Sequence, residues 1–320
     1  MLIDAGNNDK GTLVQNYLQH QGVETLDYVI GTHPDADHIG GMDVVLYKFD
    51  CKTIIMPDVA NNTRTYDDVV QTMKNKGYKT TYPVVGETYT IGGAAFTIIA
   101  PNKEYGNDMN SWSVGVLLQN GNHRFLFTGD AEEGAEQDIL QNGIDISADV
   151  YKVAHHGSNT ATSQAFLDAV HPTYAVISAG EGNSYGHPHA EVLNRLRAAG
   201  VSVFRTDEQG TIVAASDGTT LTWNMSPSES WQAGEAEKSQ NTEKSEKAAD
   251  NQNNAETDAA VSNPTDQTDG NSDVIVHITK TGEKYHSAGC QYLRQSDIEV
   301  TLSEAKAKGL TPCSKCNPPQ

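Results

Sequence analysis

Four potential metal ligands fall within six residues in the run Thr32-His33-Pro34-Asp35-Ala36-Asp37-His38-Ile39-Gly40-Gly41: His33, Asp35, Asp37 and His38. Imidazole and carboxylate are ordinary donors for divalent ions. On a loop leaving a strand, alternate side chains converge on one ion while their neighbours turn toward a second. Pro34 stiffens the turn, and Gly40-Gly41 lets the backbone pass closely into a following helix. Donors recur after three other apolar runs, in Phe127-Thr128-Gly129-Asp130, His155-His156-Gly157-Ser158 and Tyr185-Gly186-His187-Pro188-His189. His and Asp arriving from separate strand ends are the pattern of a dinuclear hydrolytic site. A water shared by two divalent ions is acidified toward hydroxide near neutral pH, and the ions neutralise charge on an attacked phosphoryl or carbonyl group. Asp35 or Asp37 is expected to orient that hydroxide. His156 is expected to stabilise charge or protonate the leaving group, and Ser158 and Asn159 to hydrogen-bond the substrate.

A second set of donors closes the chain. Tyr285-His286-Ser-Ala-Gly-Cys290 and Pro312-Cys313-Ser-Lys-Cys316 give His286, Cys290, Cys313 and Cys316, the composition of a tetrahedral Cys₃His zinc site. A module this short needs such a staple. The competing reading of these cysteines is a disulfide between Cys290 and one of the Cys313/Cys316 pair. Cys51 reads as a small core residue, and His277 as a cross-strand surface residue.

The elements that must position these groups follow from hydrophobic patterning. Strands are expected at 26–32, 53–56, 94–100, 113–119, 124–128, 150–154, 173–178, 201–205, 211–215 and 219–223. Helices are expected at 11–20, 41–47, 65–76, 132–141, 163–170 and 190–199. Asn120-Gly121 and Asp217-Gly218 signal hairpins. Many strands with interspersed helices fit two sheets flanked by helices better than one parallel sheet. Residues 226–273 carry almost no large apolar side chain after Trp231 and read as a disordered acidic linker, so the domains are 1–225, the linker, and a small α+β module at 274–320.

Charge is distributed unevenly. Residues 1–225 hold 27 acidic and 13 basic side chains, and 226–273 hold 11 and 3, whereas 274–320 hold 4 and 6. Non-specific duplex binding draws on Lys and Arg neutralising phosphates, so the first domain should capture a phosphate through its ions rather than through surface charge. No apolar run approaches the eighteen residues of a transmembrane segment, and the first residues do not form a signal peptide. Leu2-Ile3 reads as the end of a buried strand running into a turn at Asp4 to Gly6, so the numbering is expected to begin partway through a domain.

Taken together, His33-Pro-Asp-Ala-Asp-His38-Ile-Gly-Gly, Phe-Thr-Gly-Asp130, Lys152-Val-Ala-His155-His156-Gly-Ser and Asn183-Ser-Tyr-Gly-His187-Pro-His189 resemble, in that order, the metallo-β-lactamase-like domain of ComEC-type DNA-internalisation proteins. The resemblance covers about residues 1–225 and implies an αββα sandwich with the site at the sheet edges. It also implies an amino-terminal strand with an Asp-Val-Gly-Gln-Gly-Asp motif, whose place is before Met1. Asp35 stands where the wider superfamily has His, and Asn110-Ser111 where the family loses a mid-chain ligand; His123 lies in a hairpin. The implied ligands are His33, Asp35 and His155 for one ion, and Asp37, His38 and one of His187 or His189 for the other, with Asp130 bridging. Zn²⁺ and Mn²⁺ both suit this donor set. The tail resembles a zinc module related to the Ada metal-binding domain, which implies an exported or envelope protein in contact with DNA. The function expected is an extracellular phosphodiesterase or nuclease. The alternatives are hydrolysis of a phosphocholine or teichoic-acid linkage, a lactone or a lactam, and a non-catalytic DNA-uptake module with a structural metal.

Overall fold

The computed structural model describes residues 1–234 and, beyond them, 275–279, 284–286, 293, 298–308, 310–313 and 315. The chain divides into two compact units at residue 244.

The first unit is built on two sheets. One consists of β1 (Leu2–Ile3), β2 (Thr25–Ile30), β3 (Asp50–Ile55) and β4 (Thr80–Thr81), all parallel and in that order. The other contains β5 (Thr88–Ile91), β6 (Ala94–Ala100), β7 (Gly115–Asn120), β8 (His123–Phe127), β9 (Val150–Lys152), β10 (Tyr174–Ile177) and β11 (Ser202–Arg205), likewise in sequence order from one edge to the other. Its pairings are antiparallel from β5 to β8 and parallel from β8 to β11. A hairpin, β12 (Ala214–Ser216) with β13 (Leu221–Trp223), stands apart.

Side-chain alternation makes four layers of these sheets. Successive residues of a strand point to opposite faces, so a strand apolar on both faces must be covered twice. Val29 and Ile54 face outward onto α1 (Gly11–His20), α3 (Met42–Lys48) and α4 (Arg64–Lys76), packing with Leu18, Val45, Leu46 and Val69. Their neighbours Ile30 and Ile55 face inward and meet Phe96, Ile98 and Val116 of the second sheet. Ile99 and Leu117, one residue on, point outward onto α5 (Glu133–Gln141), α6 (Gln164–Val170) and α7 (Ala190–Ala198), against Ile139, Phe166 and Leu193. This is the expected αββα sandwich. Two helical turns of four residues, α2 (Ala36–Ile39) and α8 (Thr206–Gln209), complete the unit.

The domain edge expected at residue 225 lies further on. Ser228 N–H donates to the Val203 carbonyl at 2.7 Å, Arg205 reaches the Gln232 carbonyl, and Gly234 N–H donates to the Pro188 carbonyl at 2.9 Å. Trp231 packs on the outer core, with Arg197 over its ring. The indole and these backbone bonds hold residues 226–234 to the sandwich although their composition resembles that of the linker. The remainder of the expected disordered stretch, 235–273, lies outside the described residues.

The second unit has a four-stranded sheet in the order β16 (Ile298–Thr301), β14 (Ile275–Ile278), β15 (Lys284–His286), β17 (Thr311–Pro312), with α9 (Leu302–Ala307) packed through Leu302 and Ala305 onto Val276, Ile278 and Tyr285. Among the described residues no helix is long and apolar enough to cross a membrane.

Candidate metal centre

The carboxyl ends of β2 and β8 and the turn after β9 bring the candidate residues of the first unit together. Thr32 and His33 follow β2, and Asp35, with extended backbone, caps α2. Asp37 and His38 therefore sit within a helical turn rather than on the loop expected from sequence. The two glycines after α2 make the turn possible. A Cβ at Gly40 would stand 2.4 Å from the Asn8 nitrogen, and one at Gly41 2.5 Å from the Ala5 oxygen. Their absence lets the 4–8 loop press onto α2, fastened by Ala5 N–H to the His38 carbonyl and Gly41 N–H to the Gly6 carbonyl.

That close approach delivers a residue the sequence reading did not select. Asp4 accepts from Thr32 N–H at 2.8 Å with one carboxylate oxygen. With the other it accepts from the Thr32 hydroxyl at 2.9 Å and from His38 Nδ1 at 2.7 Å. A carboxylate has no proton to give, so the His38 proton lies on Nδ1 and the Nε2 lone pair points into the centre. His156 is fixed in the same sense: its Nδ1 donates to the Ser178 carbonyl at 2.6 Å. His33 Nδ1 lies 3.1 Å from the Thr32 hydroxyl and 3.4 Å from that of Ser113, while its buried Nε2 has no hydrogen-bond partner in the protein.

The bare nitrogens converge with carboxylates. His38 Nε2 and His156 Nε2 are 3.2 Å apart; His156 Nε2 lies 3.2 Å from Asp37 and 3.4 Å from Asp130, and His38 Nε2 lies 3.2 Å from Asp130. Asp37, His38, Asp130 and His156 each offer a donor atom within 4.8 Å of the others. Lone pairs and negative oxygens facing one another at this range repel unless a cation lies between them, so the donor set fits a divalent ion. In protein stripped of metal, protons would do part of that work. Burial opposes charge on His38 and on His156, but Asp4 and Asp130 hold the first well above its ordinary value, and the hydrogen bonds His156 donates to Asp130 and Asp37 raise the second. Asp37 is pulled down to about 2, chiefly by its hydrogen bond with His156. Asp130 also falls well below the usual carboxylate range, because His38 and His156 outweigh its burial.

The remaining donors lie around this cluster. His33 Nε2 is 3.7 Å from Asp35, whose other oxygen accepts from Asn61 Nδ2; burial pushes His33 down to about 4, which keeps its lone pair free near neutrality. Burial and the nearby Asp37 raise Asp35. His155 directs Nε2 toward Asp130 at 3.7 Å, with Nδ1 held by Glu132 and Thr160. His155 and His156 both adopt left-handed backbone, with φ of 46° and 53°, which turns two consecutive rings into one pocket. His156 thus joins the tight cluster, and His155 faces Asp130 from its edge.

His187 is buried beside both rings, 5.6 Å from that of His155 and 6.2 Å from that of His156. His189 is turned away. Its Nδ1 accepts from Asn159 N–H and its Nε2 therefore donates to the Tyr185 carbonyl, so neither nitrogen is left for a metal. Ser158, expected to hold substrate, is buried with its hydroxyl on Thr160, and it braces the turn; Asn159 is exposed. His123 is bonded to Ser216, away from the centre. Ser113 is the second residue missed. Its hydroxyl accepts from Asp130 N–H at 2.9 Å and touches His33, linking two ligands of different strands. Gly129, at φ 54°, leaves room for it, since a Cβ there would lie 2.7 Å from that hydroxyl. Lys152 is a third: a half-buried side chain whose ammonium donates to the Val153 carbonyl, lowered by burial against the pull of Asp130 and Asp4.

In the second unit, His286 and Cys313 are both buried and each follows a member of the Tyr285–Pro312 pair, which places them side by side on parallel β15 and β17. Lys315 N–H donates to Cys313 Sγ at 3.5 Å. Cys290 and Cys316 lie outside the described residues. His277 is buried directly opposite His286 rather than exposed, because the strand pairing puts both on one face.

Comparison with known proteins agrees with this geometry. The model of the metallo-beta-lactamase superfamily matches residues 1–181. ComE operon protein 3 of Bacillus subtilis is 33% identical over 196 residues, 61% of this chain and 25% of that protein. Recombination protein 2 of Haemophilus influenzae is 31% identical over 217 residues, 66% of this chain and 26% of that protein. Competence protein ComA of Neisseria gonorrhoeae is 30% identical over 196 residues, 61% and 26%. The chain thus spans about a quarter of the length of these relatives.

Proposed function

The chain belongs to the metallo-β-lactamase superfamily, and from that premise we propose that it is a divalent-metal-dependent phosphodiesterase acting on nucleic acid. The observation that carries the reading is the pair of imidazole lone pairs, His38 Nε2 and His156 Nε2, fixed 3.2 Å apart among the carboxylates of Asp37 and Asp130. His33, Asp35, Asp37, His38, Asp130 and His156 would hold the ions, of which Zn²⁺ and Mn²⁺ both suit the donors. Bound ions of this kind acidify water and neutralise charge on a phosphoryl group.

The chain's own residues do the rest. Asp4 and the Ser178 carbonyl keep the Nε2 lone pairs of His38 and His156 aimed inward, and the Thr32 and Ser113 hydroxyls hold the His33 ring beside them. Asp37, half-exposed at the rim and ionised at any physiological pH, orients the attacking water; the water oxygen forms the new bond to phosphorus as the ester oxygen departs and is protonated from solvent. With 27 acidic against 13 basic side chains in residues 1–225, the substrate phosphate has little surface charge to bind, which supports capture at the centre itself. Nucleic acid, rather than another phosphodiester, is favoured by the relatives named for competence and recombination. Action outside the cytoplasm is part of the same proposal and rests on the resemblance of the tail to a zinc module of exported proteins. Buried His286 and Cys313 support a Cys₃His zinc site in the tail, completed by Cys290 and Cys316 and serving as a tethered binding or stabilising element.

The test is to incubate metal-reconstituted protein with single- and double-stranded DNA, bis-p-nitrophenyl phosphate and a chromogenic lactam, beside Asp37→Ala. Hydrolysis of the DNA and the diester, lost in the variant, is the expected result. Hydrolysis of the lactam alone, or of none of them, would overturn the reading.

A further inference from the structure

Tyr185 is 74% exposed, more than any other large apolar side chain among the described residues, and it lies one ring beyond His187, which faces His156 of the metal centre. Its ring lies on that of His187 with centroids 5.5 Å apart and planes 18° from parallel. The His187 ring lies against that of His156, 6.2 Å away and 20° from parallel. Three nearly parallel rings therefore lead from solvent to a ligand of the centre, and the outer face of the first is bare.

The loop that carries the ring is braced by its own side chains. The Asn183 side chain donates to the Gly180 and His187 carbonyls and accepts from His187 N–H. The Tyr185 carbonyl accepts from His189 Nε2, and His189 Nδ1 accepts in turn from Asn159 N–H, so the histidine that does not face the centre braces the tyrosine that overlooks it. A large aromatic side chain left in water gains nothing for folding. The loop from Ser178 to Ala190 also contains no Lys or Arg that could grip a phosphate. A flat, uncharged aromatic face recognises another flat ring, and every nucleobase has one.

We propose that Tyr185 is the stacking platform for a nucleobase of the nucleotide whose phosphate enters the metal centre, and that the enzyme consequently prefers single strands and frayed ends to intact duplex. This rests on the nuclease reading above. A base within a duplex has both faces occupied by its neighbours and must be unstacked before it can lie on the tyrosine.

The experiment uses the full, metal-loaded chain with Tyr185→Ala, Tyr185→Phe and Tyr185→Trp. The substrates are a single-stranded oligothymidylate and the same strand carrying one abasic position at the cleaved nucleotide. Base–aromatic stacking is worth about 1–3 kcal/mol, so Tyr185→Ala should raise KM on the intact strand by about 5- to 150-fold, while Tyr185→Phe stays close to the parent. Metal content should be unchanged, and the abasic strand should be cleaved equally well by parent and Tyr185→Ala. An unchanged KM on the intact strand, or an equal rise on both strands, would overturn the proposal, the latter because it would show a contact to the backbone or a loosened loop. If the parent cleaves no oligonucleotide, the nuclease reading fails. The Tyr185→Trp fluorescence then decides the stacking question alone: quenching by oligothymidylate sustains it, and its absence overturns it.

Discussion

Replacing Asp4 by Asn tests whether a residue that touches no substrate governs the metal centre. The substitution is nearly isosteric, and asparagine tolerates the left-handed backbone found here at φ 57°. Asp4 accepts three hydrogen bonds, two from Thr32 and one from His38 Nδ1. A carboxamide has one oxygen and one NH₂ group, so it cannot accept on both sides. If its nitrogen faces Thr32 N–H, two donors collide; if it faces His38, the imidazole proton must move to Nε2, where it points at the ion. Leaving a buried donor unsatisfied costs about 1–3 kcal/mol, and loss of a group that orients a ligand histidine weakens metal binding by about 10- to 100-fold. The two figures agree, since about 1.4 kcal/mol corresponds to a factor of ten. Competition for Zn²⁺ or Mn²⁺ against a chromophoric chelator, on protein whose circular dichroism matches the parent, should therefore show that 10- to 100-fold weakening. Unchanged affinity in a natively folded Asp4→Asn protein would refute the claim that His38 depends on Asp4 for its tautomer.

Three further outcomes are expected. Gly129→Ala places a Cβ 2.7 Å from the Ser113 hydroxyl and 2.9 Å from Thr32 Cβ at a φ of 54°, so thermal melts should show a loss of about 1–3 kcal/mol; a melting temperature equal to the parent's would contradict the packing described. In chelator-treated protein His38 and His156 are raised above their ordinary value of 6.5, so their contribution to stability is full below that value and is lost as pH rises through the higher folded values. Melts from pH 6 to 9 should therefore decline more steeply for metal-free than for metal-loaded protein, and parallel curves would count against protons standing in for the ion. His286→Ala and Cys313→Ser should each abolish zinc bound by the second unit, measured by elemental analysis, and unchanged zinc content would exclude the proposed ligand set.

What the sequence disclosed depended on how far a signal reaches along the chain. Helix α1 coincides with the expected 11–20, and β6 with 94–100, because each carries its own periodicity and ends at its own polar boundary. Strand β5 went unseen, since Thr88–Ile91 alternates between exposed and half-buried positions with no fully buried residue, and only its pairing with β6 makes it a strand. Helix α2 carries no helical signal of its own, because its one turn is imposed from outside, by the 4–8 loop docking on Gly40 and Gly41.

The same distinction governs the centre. Ligands announced themselves by density, as in His33 to His38, whereas the residues that aim them did not: Asp4 lies 34 residues from His38, and Ser113 lies 80 from His33. Nor could spacing decide between His155 and His156, which are adjacent and chemically identical. The choice is made by backbone: with both residues at positive φ, Nδ1 of His156 meets the Ser178 carbonyl on β10's continuation while Nδ1 of His155 meets Glu132 and Thr160. One ring is thereby committed to the cluster and the other is held beside it. A tautomer is fixed by the partner of the nitrogen that does not bind, so the donor set of such a centre is written in its carbonyls and carboxylates as much as in its histidines.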